Sequence, residues 1–127
     1  MINWLLSLLK SGARPHKTVE LQARLVSVDG GNVDGEAEFE LYSNDGWELE
    51  AEVNFRNGAQ ATPLTLWLNN REVLGLVPDD FDESEGKLSS RRGDQLTVLP
   101  TEGMRVDIKR DAATILSGTF ELHPRFR

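Results

Sequence analysis

Apolar and polar residues alternate one for one along Glu36-Ala-Glu38-Phe-Glu40-Leu-Tyr-Ser-Asn-Asp-Gly-Trp-Glu48-Leu-Glu50-Ala-Glu52-Val. A period of two belongs to a β-strand, whose successive side chains point to opposite faces. The run predicts a hairpin with Ala37, Phe39, Leu41, Trp47, Leu49, Ala51 and Val53 on one face. Six glutamates, Glu36, Glu38, Glu40, Glu48, Glu50 and Glu52, form the other face. Keeping Leu41 and Leu49 together requires an odd loop, and Asn44-Asp45-Gly46 offers three residues with Gly46 in the left-handed position. That register sets Leu41 against Leu49, Phe39 against Ala51 and Ala37 against Val53. It also sets Glu38 against Glu52 and Glu40 against Glu50, and each like-charged pair costs a few tenths to about 1 kcal/mol. Arg24, Arg105 and Lys109 at outward strand positions, together with the basic termini, are the expected counter-charges.

The alternation recurs elsewhere. Residues 18–28 place Val19, Leu21, Ala23 and Leu25 on one side before the turn Asp29-Gly30-Gly31-Asn32. Residues 64–68 and 71–77 flank Asn69-Asn70, a pair suited to the positive φ angles of a type I′ turn. In this second hairpin Leu66 is expected against Val73 and Leu64 against Gly75. Trp67 then lies opposite Glu72 on the reverse face, with Leu74 and Leu76 nearby. A strand near 87–90 and runs at 95–99, 105–110 and 114–122 complete the pattern. The expected fold is all-β, an antiparallel β-sandwich or barrel of about nine strands with a short N-terminal amphipathic helix. The helix is assigned to residues 1–14 and a single β domain to residues 15–127.

The opening MINWLLSLLK carries Ile2, Leu5, Leu6 and Leu9 as one helical stripe, broadened by Trp4 and Leu8. It is too short to span a bilayer, so no transmembrane segment is expected, and it lacks the basic start of a secretory signal. A cytoplasmic location is favoured, with Ser11-Gly12-Ala13 keeping export open. The stripe needs cover, and the expected interface sets Trp4, Leu5 and Leu8 against Trp67, Leu74 and Leu76, within one chain or across a homodimer.

Charge narrows the partners. With 14 Lys and Arg against 21 Asp and Glu the net charge is −7. Affinity for phosphate backbones comes from cationic side chains, so nucleic acid is excluded as a partner, and a basic protein or a cation fits better. The lack of cysteine rules out disulfides, thiolate zinc sites and cysteine nucleophiles.

Asp79-Asp-Phe-Asp82-Glu-Ser84-Glu-Gly86 has the alternating oxygens that calcium prefers. Glu85 at the required glycine position and Arg91 at the terminal glutamate position defeat an EF-hand reading. Asp80, Asp82 and Ser84 remain candidate ligands of a different calcium site. Arg92-Gly93-Asp94 matches an integrin-type tripeptide but reads as turn chemistry. Trp67, out of phase with Leu66 and Leu68, is the candidate platform for a sugar ring. His16 and His123 lack metal or triad spacing, and the glutamate ladder lacks a cleft, so no catalytic residue and no cofactor are expected. The expected function is a noncatalytic protein-interaction or structural β domain that self-associates, with calcium or carbohydrate binding as the alternative.

Gly35-Glu-Ala-Glu-Phe39, Leu64-Thr-Leu-Trp-Leu-Asn-Asn70 and Ile115-Leu-Ser-Gly-Thr-Phe120 resemble, in that order, the strands of a loosely defined group of bacterial β-rich domains of unknown function. The resemblance covers residues 35–122. It implies a β-rich fold and brings no activity, and the signal-free start departs from the group.

Overall fold

Alternation of this kind lets each strand bury one face, and nine strands do so around a single core. The structure, a computed structural model, describes residues 14–127. The amphipathic stripe with Trp4, Leu5 and Leu8 lies outside the described residues, and Arg14 is not helical.

The strands are β1 (Lys17–Ser27), β2 (Val33–Tyr42), β3 (Trp47–Phe55), β4 (Leu64–Leu68), β5 (Arg71–Pro78), β6 (Glu83–Ser89), β7 (Arg105–Arg110), β8 (Ala113–Thr119) and β9 (Glu121–Leu122). Short 3₁₀ turns occupy Ser90–Arg92 and Pro124–Phe126. The neighbours run β2-β3-β6-β5-β4-β7-β8-β1, and β1 pairs with β2 to close an antiparallel eight-stranded barrel, with β9 added beside β1. A barrel of eight strands is just wide enough for side chains to fill it. Leu21, Leu25, Phe39, Leu49, Leu66, Ile108, Leu116 and Phe120 fill this one, all at 2% exposure or less.

Two strands turn corners. β1 pairs with β2 up to Leu25 and with β8 at Val26 and Ser27. β5 pairs with β4 up to Leu76 and with β6 only at Val77 and Pro78. Such switches between sheet halves force backbones together. A Cβ on Gly118 would collide with the carbonyl oxygen of Arg24, and one on Gly86 with that of Gly75. Only glycine fits at these crossings.

Both hairpin registers differ from expectation. In β2–β3, Leu41 faces Trp47, Phe39 faces Leu49 and Ala37 faces Ala51, a shift of two residues. The loop is Ser43-Asn44-Asp45 rather than Asn44-Asp45-Gly46. Asp45 takes the left-handed conformation at φ 65°, while Asn44 Oδ1 accepts from the Gly46 N–H at 3.0 Å. Aspartate tolerates that conformation, so the glycine was not decisive. An even shift leaves every side chain on its expected face.

In β4–β5, Asn69 and Asn70 both adopt positive φ and Trp67 faces Glu72. A bulge next to this pair then sets Leu66 against Leu74 and Leu64 against Leu76. An extra residue reverses the facing of everything beyond it. Leu74 and Leu76 therefore point into the core, at 7% and 2% exposure, instead of joining Trp67 outside. Residues 95–99 form no strand, although Leu96 and Val98 still pack against the core. The run 114–122 is broken at Phe120, which is fully buried between β8 and β9.

Candidate functional site

The outward positions of four adjacent strands align into rows. Across β1, β2, β3 and β6 the first row is Glu20-Glu40-Glu48-Ser89 and the second Gln22-Glu38-Glu50-Lys87. The third is Arg24-Glu36-Glu52-Glu85, and Asp34-Asn54-Glu83 follows it across β2, β3 and β6. All six ladder glutamates thus share one outer face, in the facing pairs Glu36–Glu52, Glu38–Glu50 and Glu40–Glu48.

Compensation is uneven over this face. At one end Lys17 reaches Glu40 at 2.5 Å and Glu20 at 3.6 Å, and Lys87 reaches Glu48 at 3.5 Å. In the middle Gln22 Nε2 donates to Glu38 at 3.2 Å. Burial nevertheless pushes the Glu38 carboxyl above the ordinary glutamate value, and the charges of Glu36, Glu40 and Glu20 add to the rise. Of the expected counter-charges, Arg24 stands across from Glu36. Arg105 and Lys109 do not serve, because β7 lies between β4 and β8 rather than beside the acidic strands.

The far end is the most acidic. Carboxylate oxygens of Glu52, Glu83 and Glu85 lie within 4.8 Å of one another. Among the described residues none of the three is in an ion pair, and Arg56, at the end of β3, is engaged with Asp34 at 2.7 Å. Burial, followed by the charges of Glu83, Glu36 and Glu85, pushes the Glu52 carboxyl upward. Spacing along β2 and β3 located Glu52, but Glu83 and Glu85 come from β6. Their convergence depends on the β3–β6 pairing, which nothing in the local pattern signals.

The calcium candidates do not converge. Ser84 is fully buried and its hydroxyl donates to the Thr62 carbonyl at 2.7 Å, whereas Asp80 and Asp82 sit in the exposed β5–β6 turn. In Arg92-Gly93-Asp94 the two charged ends bond to each other, Arg92 to Asp94 Oδ2 at 2.9 Å, and Asp94 also accepts from the Ser89 N–H. Gly93, at φ 79°, ends the first 3₁₀ turn. Trp67 does face outward, but Lys109 Nζ sits 3.9 Å from its ring centroid and its indole N–H donates to Thr65 Oγ1 at 2.9 Å. One ring face and the polar handle are therefore already engaged. His123 Nδ1 accepts from the Arg125 N–H, a capping role for the last 3₁₀ turn.

Beside Trp67, Asp107 is an outward carboxylate only 3% exposed. Arg105 Nε donates to it at 2.9–3.0 Å and the Ser117 hydroxyl at 2.8 Å, so its charge is fully engaged within the wall.

Fold and site together define a closed antiparallel eight-stranded barrel whose outer face carries a carboxylate ladder. No protein-family model matches the chain, and no curated protein sequence does. Among the described residues no helix is long and apolar enough to cross a membrane.

Proposed function

We propose that this barrel is a noncatalytic binding module whose β2–β3–β6 face receives a cationic protein partner. The observation that carries the reading is the uncompensated end of the ladder, where Glu52, Glu83 and Glu85 converge without a counter-ion among the described residues. Facing carboxylates destabilise a sheet. A cationic partner relieves that repulsion on binding, and the same field speeds its approach. The interior of this barrel is filled by its own side chains, which directs recognition to its surface.

Binding of a fluorescent oligo-arginine peptide to the purified protein tests this. Wild type should bind with an affinity that falls steeply with salt. The combination E38Q, E50Q, E52Q and E85Q should lose most of it. The combination E72Q, E102Q, D107N and D111N removes the same formal charge on and beside β5 and β7, away from this face, and should lose little. Equal losses in the two variants would show that net charge alone is responsible and would sink the proposal.

The three converging carboxylates also favour a second reading, a divalent-cation site, because hard cations gather several carboxylate oxygens. Thermal shift separates the two. Stabilisation by calcium and reversal by chelator support the cation, whereas stabilisation by sodium chloride alone indicates simple screening.

A further inference from the structure

Most of the apolar side chains on this barrel are inside it, which makes the exceptions informative. Among the described residues Phe81, at 83%, and Val77, at 68%, are the most exposed of five large apolar side chains, ahead of Leu99, Val28 and Val26. Burying a side chain such as phenylalanine is worth about 1.5–3 kcal/mol, so one left in solvent is a reserve of binding energy. Val77 is the Cα partner of Glu85, which extends the row Glu36-Glu52-Glu85 by one apolar position. Phe81 sits in the turn that joins β5 to β6, two residues before Glu83. The turn is joined to the barrel, since the Phe55 N–H donates to the Asp82 carbonyl at 2.8 Å. Phe81 and Val77 thus border the acidic end of the face.

We infer that Phe81 and Val77 are the apolar anchor of this face, and that its occupant is a basic peptide segment in which aliphatic or aromatic side chains stand beside arginine or lysine. This rests on the proposed cationic partner. Charge complementarity selects the occupant: an apolar partner without cations would have to desolvate Glu52, Glu83 and Glu85 without compensation. A purely basic segment would leave Phe81 and Val77 in water. A segment with both satisfies the whole border, and apolar anchors ringed by charge are the usual composition of an interaction surface.

Two labelled peptides of equal charge and length decide the matter, one alternating arginine with leucine and one alternating arginine with serine. At about 0.15 M ionic strength the arginine–leucine peptide should bind wild type about tenfold more tightly, the equivalent of one buried apolar anchor. The double variant V77S/F81S should bind the two peptides equally while retaining the wild-type melting temperature, since both side chains are exposed. The variant E52Q/E83Q/E85Q should weaken both peptides. Equal binding of both peptides by wild type, lost on removing the carboxylates, overturns the anchor and leaves the cationic partner standing. Failure of both peptides to bind overturns both. A leucine preference that survives V77S/F81S also overturns the anchor.

Discussion

Glu52 on β3 faces Glu85 on β6, and on its other side it faces Glu36 on β2, so one carboxylate is held between two others in a continuous ladder. Burial, and then the charges of Glu83, Glu36 and Glu85, raise the Glu52 carboxyl above its ordinary value of 4.5, and Glu38 is raised by burial and by Glu36, Glu40 and Glu20. The folded chain then holds these protons more tightly than the unfolded chain. Between the raised values and 4.5, stability falls as pH rises and returns as pH falls, the gain being complete below 4.5. Asp34, bonded first to Arg56, and Asp94, bonded first to the Ser89 N–H and then to Arg92, are lowered below 3.8. Their contribution is present above 3.8 and is lost as pH falls through their folded values. The melting temperature should therefore rise on acidification from neutrality toward pH 4.5 and drop below pH 3.8. The variant E52Q should rise less. A melting temperature that only falls from neutrality downward would contradict the raised carboxyls.

Gly118 and Gly75 should respond oppositely to one methyl group. At Gly118 the added Cβ meets the Arg24 carbonyl and lies 3.0 Å from a Leu25 methyl, while at Gly75 it meets nothing within 4 Å. Gly118→Ala should destabilise by about 2–3 kcal/mol, because it pushes two backbones apart at a corner. Gly75→Ala should stay within about 0.5 kcal/mol of wild type. Chemical denaturation of the two variants provides the comparison.

Lys17 is the main counter-charge at the opposite end of the ladder. Its hydrogen bond to Glu40 raises its pKa, with burial opposing, so its contribution is present at neutral pH and is lost only as pH rises through that raised value. The side chain is partly exposed, and solvent screening limits the effect. Lys17→Met should cost about 0.5–1 kcal/mol at low salt. The difference from wild type should shrink at about 1 M salt, where screening extends over only a few ångströms.

Asp107 is held by Arg105 and Ser117 on the β7–β8 wall. Asp107→Ala should cost about 1–3 kcal/mol, because it leaves the part-buried Ser117 hydroxyl without its acceptor. Asp107→Asn keeps an acceptor oxygen and should recover part of the loss. Equal stability of both variants with wild type would mean that the carboxylate contributes nothing to the wall.

The parity of β1 to β4 was legible locally, because a period of two is set by the backbone itself. Ala37, Phe39, Leu49, Ala51 and Val53 are buried, and their glutamate neighbours line the outer face. The type I′ turn at Asn69-Asn70 was equally legible, since asparagine tolerates the positive φ that such a turn needs. Register was less so. Asp45 in place of Gly46 at the left-handed position moved the first hairpin by two residues, and an unsignalled bulge turned Leu74 and Leu76 inward.

Which strands become neighbours lay beyond any local pattern. Pairing of β3 with β6 depends on closure of the whole barrel, in which β1 and β5 turn corners at Gly118 and Gly86. That closure brings Glu83 and Glu85 to Glu52 and places Val77 at the end of their row. It also carries Arg105 and Lys109 away to the wall of Trp67 and Asp107. The sequence by itself determined an acidic β-face, because backbone geometry makes alternation local. Only the tertiary structure decided where that face stays uncompensated, because contacts between distant strands are set by packing around the shared core.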